Sequence, residues 1–401
     1  MLPHLRVLYL HQHFSTPGGS TATRSHAMAR ALAQRGHRVT LACGQYQGGE
    51  TGLASTFRGG RREGMVSGFR VVEFAIPYAN ATGLARRAAA FLRYAWRAAW
   101  LERGEDWDVV IASSTPLTVV LPALLGRAPF IFEIRDPWPE LPRAMGGVPG
   151  PVLWAMEHLA NAACTRAAAV VALSEGMAQT ARARGASRVE MIPNGADLDL
   201  FGPQVAPRRP DCAASHEALA VYAGAHGRAN GLDAVLDAAA LLRGAPLRLL
   251  LVGDGSEKPR LMARAAAEGL HNISFLPLLP KRDLAALLAA TQIGVFVLAD
   301  IPAFAELTAP NKLMDFLAAG LPVVGNVPGH AARCITDGPS GISVPQGDAA
   351  ALAGALRDLV QNPARRAAMG QAARAQAVRL WDRRLQARHF CDLVEAVGIA
   401  G

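Results

Sequence analysis

The stretch Ala309-Pro310-Asn311-Lys312-Leu313-Met314-Asp315-Phe316-Leu317-Ala318-Ala319-Gly320-Leu321-Pro322-Val323-Val324 reads as a loop with a lysine running into a short helix, which Gly320 stops before an apolar strand. The first turn of a helix offers unpaired backbone N–H groups and partial positive charge, which together attract a phosphate. Pro310 and Asn311 open that turn and Lys312 adds a full charge at its mouth. Asp315 lies three residues further along the same face, where a carboxylate can accept hydrogen bonds from the vicinal hydroxyls of a ribose. Such a set can grip a nucleoside diphosphate. The same pattern also describes an ordinary loop, helix and strand unit with Gly320 as its C-cap.

Other strand ends carry candidate chemistry. Gly18-Gly19 follows the first strand and precedes a helix, so its backbone can approach an anion or a substrate closely, although the spacing is not that of a dinucleotide fingerprint. His11 and His13 end that strand, either as site residues or as structural histidines. Glu133-Ile134-Arg135-Asp136-Pro137-Trp138-Pro139-Glu140 places three carboxylates and an arginine at another strand end. There Asp136 and Glu140 can orient acceptor hydroxyls, or Arg135 can pair with Asp136 or Glu133 and simply hold the loop. Tyr222-Ala223-Gly224-Ala225-His226-Gly227-Arg228-Ala229-Asn230-Gly231-Leu232-Asp233 opens a helix, with glycines that admit a diphosphate and Arg228 as counter-charge. Val252-Gly253-Asp254-Gly255-Ser256 is a further strand-end turn of a common type.

The elements that must hold these residues alternate between strand and helix. Strands are predicted at Val7–Leu10, Val39–Ala42, Phe69–Phe74, Asp108–Ala112, Phe130–Glu133, Ala169–Ala172 and Val189–Ile192, with a helix from about Thr21 to Arg35 that Gly36 stops. A second run is predicted at Ala218–Ala223, Leu247–Val252, Ile273–Phe275, Ile293–Val297, Pro322–Gly325 and Gly341–Val344. The fold class is therefore α/β, with two Rossmann-like doubly wound domains. The expected division is 1–195, a linker over 196–215, a second domain over 216–375, and a C-terminal helix over 376–401 that packs back toward the first domain. The Arg and Ala alternation after Pro363 reads as a solvated helix face.

Composition narrows the partners. A chain of 401 residues with 51% hydrophobic and 18% charged residues is a folded, core-rich protein of more than one domain. A net charge of +9 points to anionic partners such as nucleotide phosphates or lipid headgroups, while no nucleic-acid-binding signature accompanies it. Five cysteines without close pairing argue against a disulfide framework or a zinc site and fit a reducing cytoplasm. The N-terminus lacks the apolar core of a signal peptide, and no spanning helix is expected. Leu84 to Leu101 carries Arg86, Arg87, Arg93 and Arg97 among Phe91, Leu92, Tyr94, Trp96 and Trp100. Such a helix can lie in a headgroup layer or pack its aromatics on the sheet.

Gly18-Gly19, Ile192-Pro193-Asn194-Gly195-Ala196-Asp197, the segment from Gly224 to Asp233, Gly253-Asp254-Gly255-Ser256 and Asp315 through Pro322 together resemble family 4 of the retaining glycosyltransferases. That resemblance implies the GT-B fold, two facing Rossmann-like domains with an interdomain cleft. Tyr9-Leu10-His11-Gln12-His13-Phe14, Glu133-Ile134-Arg135-Asp136 and Pro310-Asn311-Lys312 are similar to a bacterial subgroup that includes L-fucosamine-type transferases of surface-polysaccharide assembly. Two departures stand out. Asp315 matches the second Glu of the family's paired acids, but the first falls on Leu307, with Glu306 one position away. The usual phosphate-binding Arg and Lys of the second domain fall near Ala225 or His226 and on Asn230, which leaves that charge to Lys312 and Arg228.

The expected activity is transfer of a sugar from a UDP-sugar to a saccharide acceptor, lipid-linked by resemblance, with no metal and no cofactor. Donor-binding candidates are Gly18, Gly19, Gly224, His226, Arg228, Gly253, Asp254, Pro310, Asn311, Lys312 and Asp315; catalytic candidates are His13, Arg135, Asp136 and Glu306. Lys312, Arg228 and the helix N-terminus would stabilise the departing diphosphate. Peripheral attachment to the inner face of the plasma membrane follows from a lipid-linked acceptor. A nucleotide-sugar epimerase and a noncatalytic nucleotide-sugar-binding subunit stay open as alternatives.

Overall fold

The computed structural model describes residues 4–79, 82–309 and 311–400. The chain forms two compact units, Met1–Pro193 with Arg384–Gly401, and Asn194–Arg383.

The first unit is built on eight strands: β1 Arg6–Leu10, β2 Arg38–Tyr46, β3 Arg61–Val66, β4 Phe69–Tyr78, β5 Val109–Ser113, β6 Phe130–Ile134, β7 Ala169–Ala172 and β8 Val189–Met191. Their order is β3-β4-β2-β1-β5-β6-β7-β8, parallel except for the β3–β4 hairpin. The sequence pattern does not announce β3, because Arg-Arg-Glu-Gly-Met-Val has little apolar content. It is an edge strand, and polar edges discourage pairing with other chains. Central strands such as Arg6–Leu10 are apolar runs because helices cover both sheet faces. The predicted first helix spans Arg24–Gln34 and ends near Gly36 at φ 92°, so Thr21–Thr23 stay outside it.

The helix Arg383–Ala400 belongs with this unit. Phe390 stacks 6.0 Å from Tyr9, His37 Nε2 lies 3.0 Å from Glu395 Oε1, and Arg35 pairs with Asp392 and Glu395.

The second unit has β9 Ala218–Ala223, β10 Leu247–Val252, β11 Ile273–Leu276, β12 Ile293–Phe296, β13 Val323–Gly325 and β14 Gly341–Ser343, all parallel in the order β11-β10-β9-β12-β13-β14. Strand order reverses on either side of β1 in the first unit and of β9 in the second. In open α/β sheets ligands collect at the carboxyl ends of such strands. Ala196, Leu198 and Phe201 sit in the core of this unit, so the segment expected to be a linker packs through its apolar side chains. Arg374 points inward as well, donating to Phe201 O and Ala318 O, which removes it from the solvated face expected after Pro363.

Gly294 on β12 lets the helix Asn311–Ala318 approach the sheet, since a Cβ there would lie 2.8 Å from the ring of buried Phe316. Gly294→Ala is expected to cost about 1–3 kcal/mol by overpacking. Urea denaturation checks this, and an unchanged midpoint would show that the helix has room to yield.

Candidate functional site

At the end of β9, Gly224 N–H donates to Val252 O and His226 N–H to Asp254 O, so the loops after β9 and β10 lie backbone against backbone. A Cβ on Gly253 would sit 1.9 Å from Gly224 O, and one on Gly255 would sit 2.5 Å from His226 O. The paired glycines are required by that approach. The Asp254 carboxylate accepts from Gly255 N–H at 2.8 Å and serves the turn.

Lys312 comes over the end of this sheet from the helix Asn311–Ala318. Its Nζ donates to Tyr222 Oη at 2.8 Å and to Asn230 Oδ1 at 3.3 Å, and it lies 4.1 Å from the Tyr222 ring centroid and 5.9 Å from that of Phe296. A Cβ on Gly224 would stand 2.8 Å from that nitrogen. The Tyr222 hydroxyl accepts from Lys312 and has Ala225 O and Asn230 Oδ1 within 2.8 Å as acceptors for its single proton. Among the described residues the ammonium therefore meets only neutral groups. Burial without a carboxylate partner pulls its pKa down to about 7, although the residue as a whole keeps some exposure. A cation so placed can attract an anion. Lys312 stands beside Asn230, the position at which the resemblance places a lysine.

Asp315 lies one turn on, buried, with one carboxylate oxygen on Lys281 and the other, Oδ1, buried with no hydrogen-bond partner among the described residues. A buried carboxylate oxygen left open costs free energy unless something donates to it. Vicinal hydroxyls would do so. Lys281, which also lies 5.4 Å from the Phe201 ring, is not among the residues the sequence singles out, since its 34-residue separation from Asp315 follows no local spacing.

His226 is fully buried. Both ring nitrogens lack a partner among the described residues, and burial, reinforced by Lys258, lowers its pKa to about 4. It is a neutral imidazole at neutral pH. Arg228 lies exposed on a short 3-10 turn, and no described contact ties it to Lys312. Asn311 begins the lysine's helix; Pro310 lies outside the described residues. Glu306, on the short helix Phe304–Leu307, is about half exposed and paired with Arg333, which holds its carboxyl below the usual range.

In the first unit the expectation for the acidic loop needs correction. Glu133 does not pair with Arg135. Its fully buried carboxylate accepts from Arg24 Nε at 2.9 Å, Ser113 Oγ at 2.5 Å and Tyr9 Oη at 3.2 Å. Burial alone would raise its pKa, but Arg24, followed by Arg135 and Ser113, outweighs that and lowers it. Arg24 also donates to Ile192 O and Pro193 O, where the chain leaves this unit. Arg135 instead donates to His11 Nε2 at 2.7 Å, which places the His11 proton on Nδ1, facing Ser113 O at 3.2 Å. Burial, then the Arg135 charge, holds His11 neutral.

His13 stacks on Tyr46 and Tyr78 at 4.7 and 4.6 Å, and burial, then Arg135, lowers its pKa to about 3. Its Nε2 is buried with no partner among the described residues. Asp136 is exposed and accepts from the Thr115 hydroxyl, while Glu140 is drawn to Arg184 at 2.6 Å and away from any free face. Gly18 and Gly19 have a packing reason: a Cβ on either would meet Glu50 Oε2 at 1.9 Å or Ser15 Oγ at 2.3 Å.

Comparison with known proteins identifies the family and the fold. Residues 19–195 match the glycosyl transferase 4-like domain, and residues 217–362 match the glycosyl transferases group 1 domain. A phosphatidyl-myo-inositol mannosyltransferase of Mycobacterium leprae is 31% identical over 230 residues, 55% of this chain and 56% of that protein. Matches to the first curated relatives span about a quarter to a half of their length, 25% and 46%. Among solved structures, HepE of Anabaena in complex with UDP-glucose superposes with a TM-score of 0.70 at 17% identity, covering 98% of this chain and 100% of that one. WaaG, a glycosyltransferase involved in lipopolysaccharide biosynthesis, gives 0.71 at 18% identity, covering 97% and 99%. The likeness establishes the fold as GT-B, two α/β domains on parallel sheets.

Proposed function

From a chain that belongs to the glycosyltransferases with a glycosyl transferase 4-like domain and a group 1 domain, we propose a retaining hexosyltransferase that moves a sugar from a UDP-sugar to a lipid-linked saccharide in bacterial surface-polysaccharide biosynthesis, the lipopolysaccharide class included. The carrying observation is the ammonium of Lys312, enclosed among neutral groups at the end of β9 with no carboxylate among the described residues to balance it. A diphosphate supplies the missing charge, and as its bond to the sugar breaks, the developing negative charge falls where Lys312 and the N–H groups of its helix are already fixed. Asp315 Oδ1 accepts from the ribose hydroxyls, and Lys281 holds the other oxygen. No metal or cofactor is part of this reading.

UDP-glucose as a donor type is supported by the complex that HepE forms with it, and a surface-glycan context by the involvement of WaaG in lipopolysaccharide biosynthesis. N-acetyl-L-fucosamine as the transferred sugar rests on the subgroup resemblance. The acceptor is assigned to the first unit, around His11, His13, Arg135 and Asp136. No helix among the described residues is long and apolar enough to cross a membrane. The protein would work at the cytoplasmic face, held there peripherally by the helix Leu84–Gly104.

Calorimetric titration with UDP, GDP, ADP and NAD tests the donor site. UDP is expected to bind selectively, and Asp315→Asn is expected to weaken it by roughly tenfold, the worth of a hydrogen bond to a charged group. Binding of none of the four would sink this reading. A UDP-sugar converted to a new epimer without acceptor would move the assignment to an epimerase.

A further inference from the structure

A groove of about 760 Å³ opens in the first unit between the ends of β2 and β4 and the N-terminal half of the helix Leu84–Gly104. Tyr46 and Tyr78 stand on one side, 5.8 Å apart, with the His13 ring against both. On the other side Arg86, Ala89, Ala90 and Arg93 recur at helical spacing. The two guanidiniums thus stem from one face about 10 Å apart along the axis, and the alanines between them keep the floor low. From Phe74 to Leu101 the chain carries four arginines and neither Asp nor Glu. Elsewhere in this unit Arg62, Arg70 and Arg184 meet carboxylates, whereas among the described residues Arg86 and Arg93 are exposed and in no ion pair.

The next stripe of the same helix is apolar and exposed. Leu92, Trp96 and Trp100, spaced by four, are 56%, 60% and 62% exposed, while Phe91, Tyr94, Ala95 and Ala98 take the buried side. At about 100° per residue, the Leu-Trp-Trp ridge adjoins the arginine face. A continuous apolar ridge left in water beside unpaired cations marks a surface for something both anionic and greasy. An anionic bilayer alone would need the ridge and the net charge. It would not need an aromatic-walled recess beside the arginines.

We propose that this groove holds the phosphate of a lipid-borne acceptor, bound by Arg86 and Arg93, with its saccharide against Tyr46 and Tyr78 and its hydrocarbon chain leaving over Leu92, Trp96 and Trp100 into the bilayer. Arginine forks match phosphate oxygens in pairs, and indoles settle at the headgroup level. The inference rests on the transferase reading only for calling the ligand an acceptor.

The test is flotation of the full chain with phosphatidylcholine vesicles containing either a polyisoprenyl phosphate or enough phosphatidylglycerol to match the surface charge. Binding to the polyisoprenyl phosphate vesicles is expected to be tighter by roughly tenfold or more. Arg86→Gln with Arg93→Gln should abolish that preference and leave the weaker binding to phosphatidylglycerol. Trp96→Ser with Trp100→Ser should weaken binding to both vesicles. Equal binding of the unaltered protein to the two vesicle types, or no binding to either, overturns the site. So does a double arginine variant that loses both in proportion, because that outcome describes a charged surface without a recess. UDP calorimetry on the same variants reports folding and separates the two readings: a preference that persists in a protein blind to UDP keeps the groove and removes the donor site.

Discussion

Replacing Lys312 with methionine is expected to lower kcat/KM for sugar transfer by about a hundredfold or more while leaving the fold intact. The side chain keeps an unbranched shape one atom shorter but loses the charge that the neutral surroundings of Tyr222, Asn230 and Phe296 leave for a diphosphate. An enclosed charge aimed at developing negative charge is worth about 3–4 kcal/mol, which sets that factor. Turnover undiminished in a folded variant would remove Lys312 from the site. The same residue dictates a pH dependence. In the folded protein it loses its proton from about pH 7, whereas its ordinary value is 10.5. Between those values the unfolded chain binds more protons, so the ligand-free protein gains stability as pH rises from 7 toward 10. A bound diphosphate favours the charged form and raises the lysine's pKa, so affinity for a UDP-sugar, whose doubly esterified diphosphate does not titrate here, falls as pH climbs above 7. Calorimetry near pH 8 in buffers of differing ionisation enthalpy should show uptake of up to one proton. Lys312→Arg should remove it.

Arg24→Met is expected to cost about 3–5 kcal/mol of stability, the penalty for leaving a buried carboxylate without its cation. Both side chains of the Arg24–Glu133 pair are essentially inaccessible, and Arg24 also satisfies the carbonyls of Ile192 and Pro193. Against a total of about 5–15 kcal/mol, such a loss threatens folding at growth temperature. Combining Arg24→Met with Glu133→Gln should recover much of it, because a neutral amide can remain with Ser113 and Tyr9. The sign with pH is distinctive. Arg24 is the largest of the groups that lower the Glu133 pKa against burial; without it only Arg135 and Ser113 oppose burial, the carboxyl's pKa rises, and the deficit of the single variant narrows as pH falls below neutrality. Urea denaturation at two pH values checks this, and a deficit independent of pH would point to lost packing in place of lost charge.

The sequence alone determined most of the buried strands, though not the polar edge strand β3. Ala169–Ala172, Ala218–Ala223 and Leu247–Val252 are found as read, because buried parallel strands are short apolar runs bounded by turn residues. It also determined that Lys312 begins a helix and that glycines follow β9 and β10, since both are matters of local spacing. Tertiary structure decided which charges meet. Arg24 reaches Glu133 across 109 residues, Lys312 reaches Tyr222 across 90, and Lys281 reaches Asp315 across 34, so that Glu133 is withdrawn into the core while, among the described residues, Lys312 keeps only neutral company and Asp315 retains one open oxygen. It also turned Phe91 and Tyr94 inward while leaving Trp96 and Trp100 outside, on a helix whose composition allowed either. Local propensity acts over a few residues along the chain. Pairing and burial depend on which chain segments the sheet order brings together, and no short-range pattern in the sequence encodes that order.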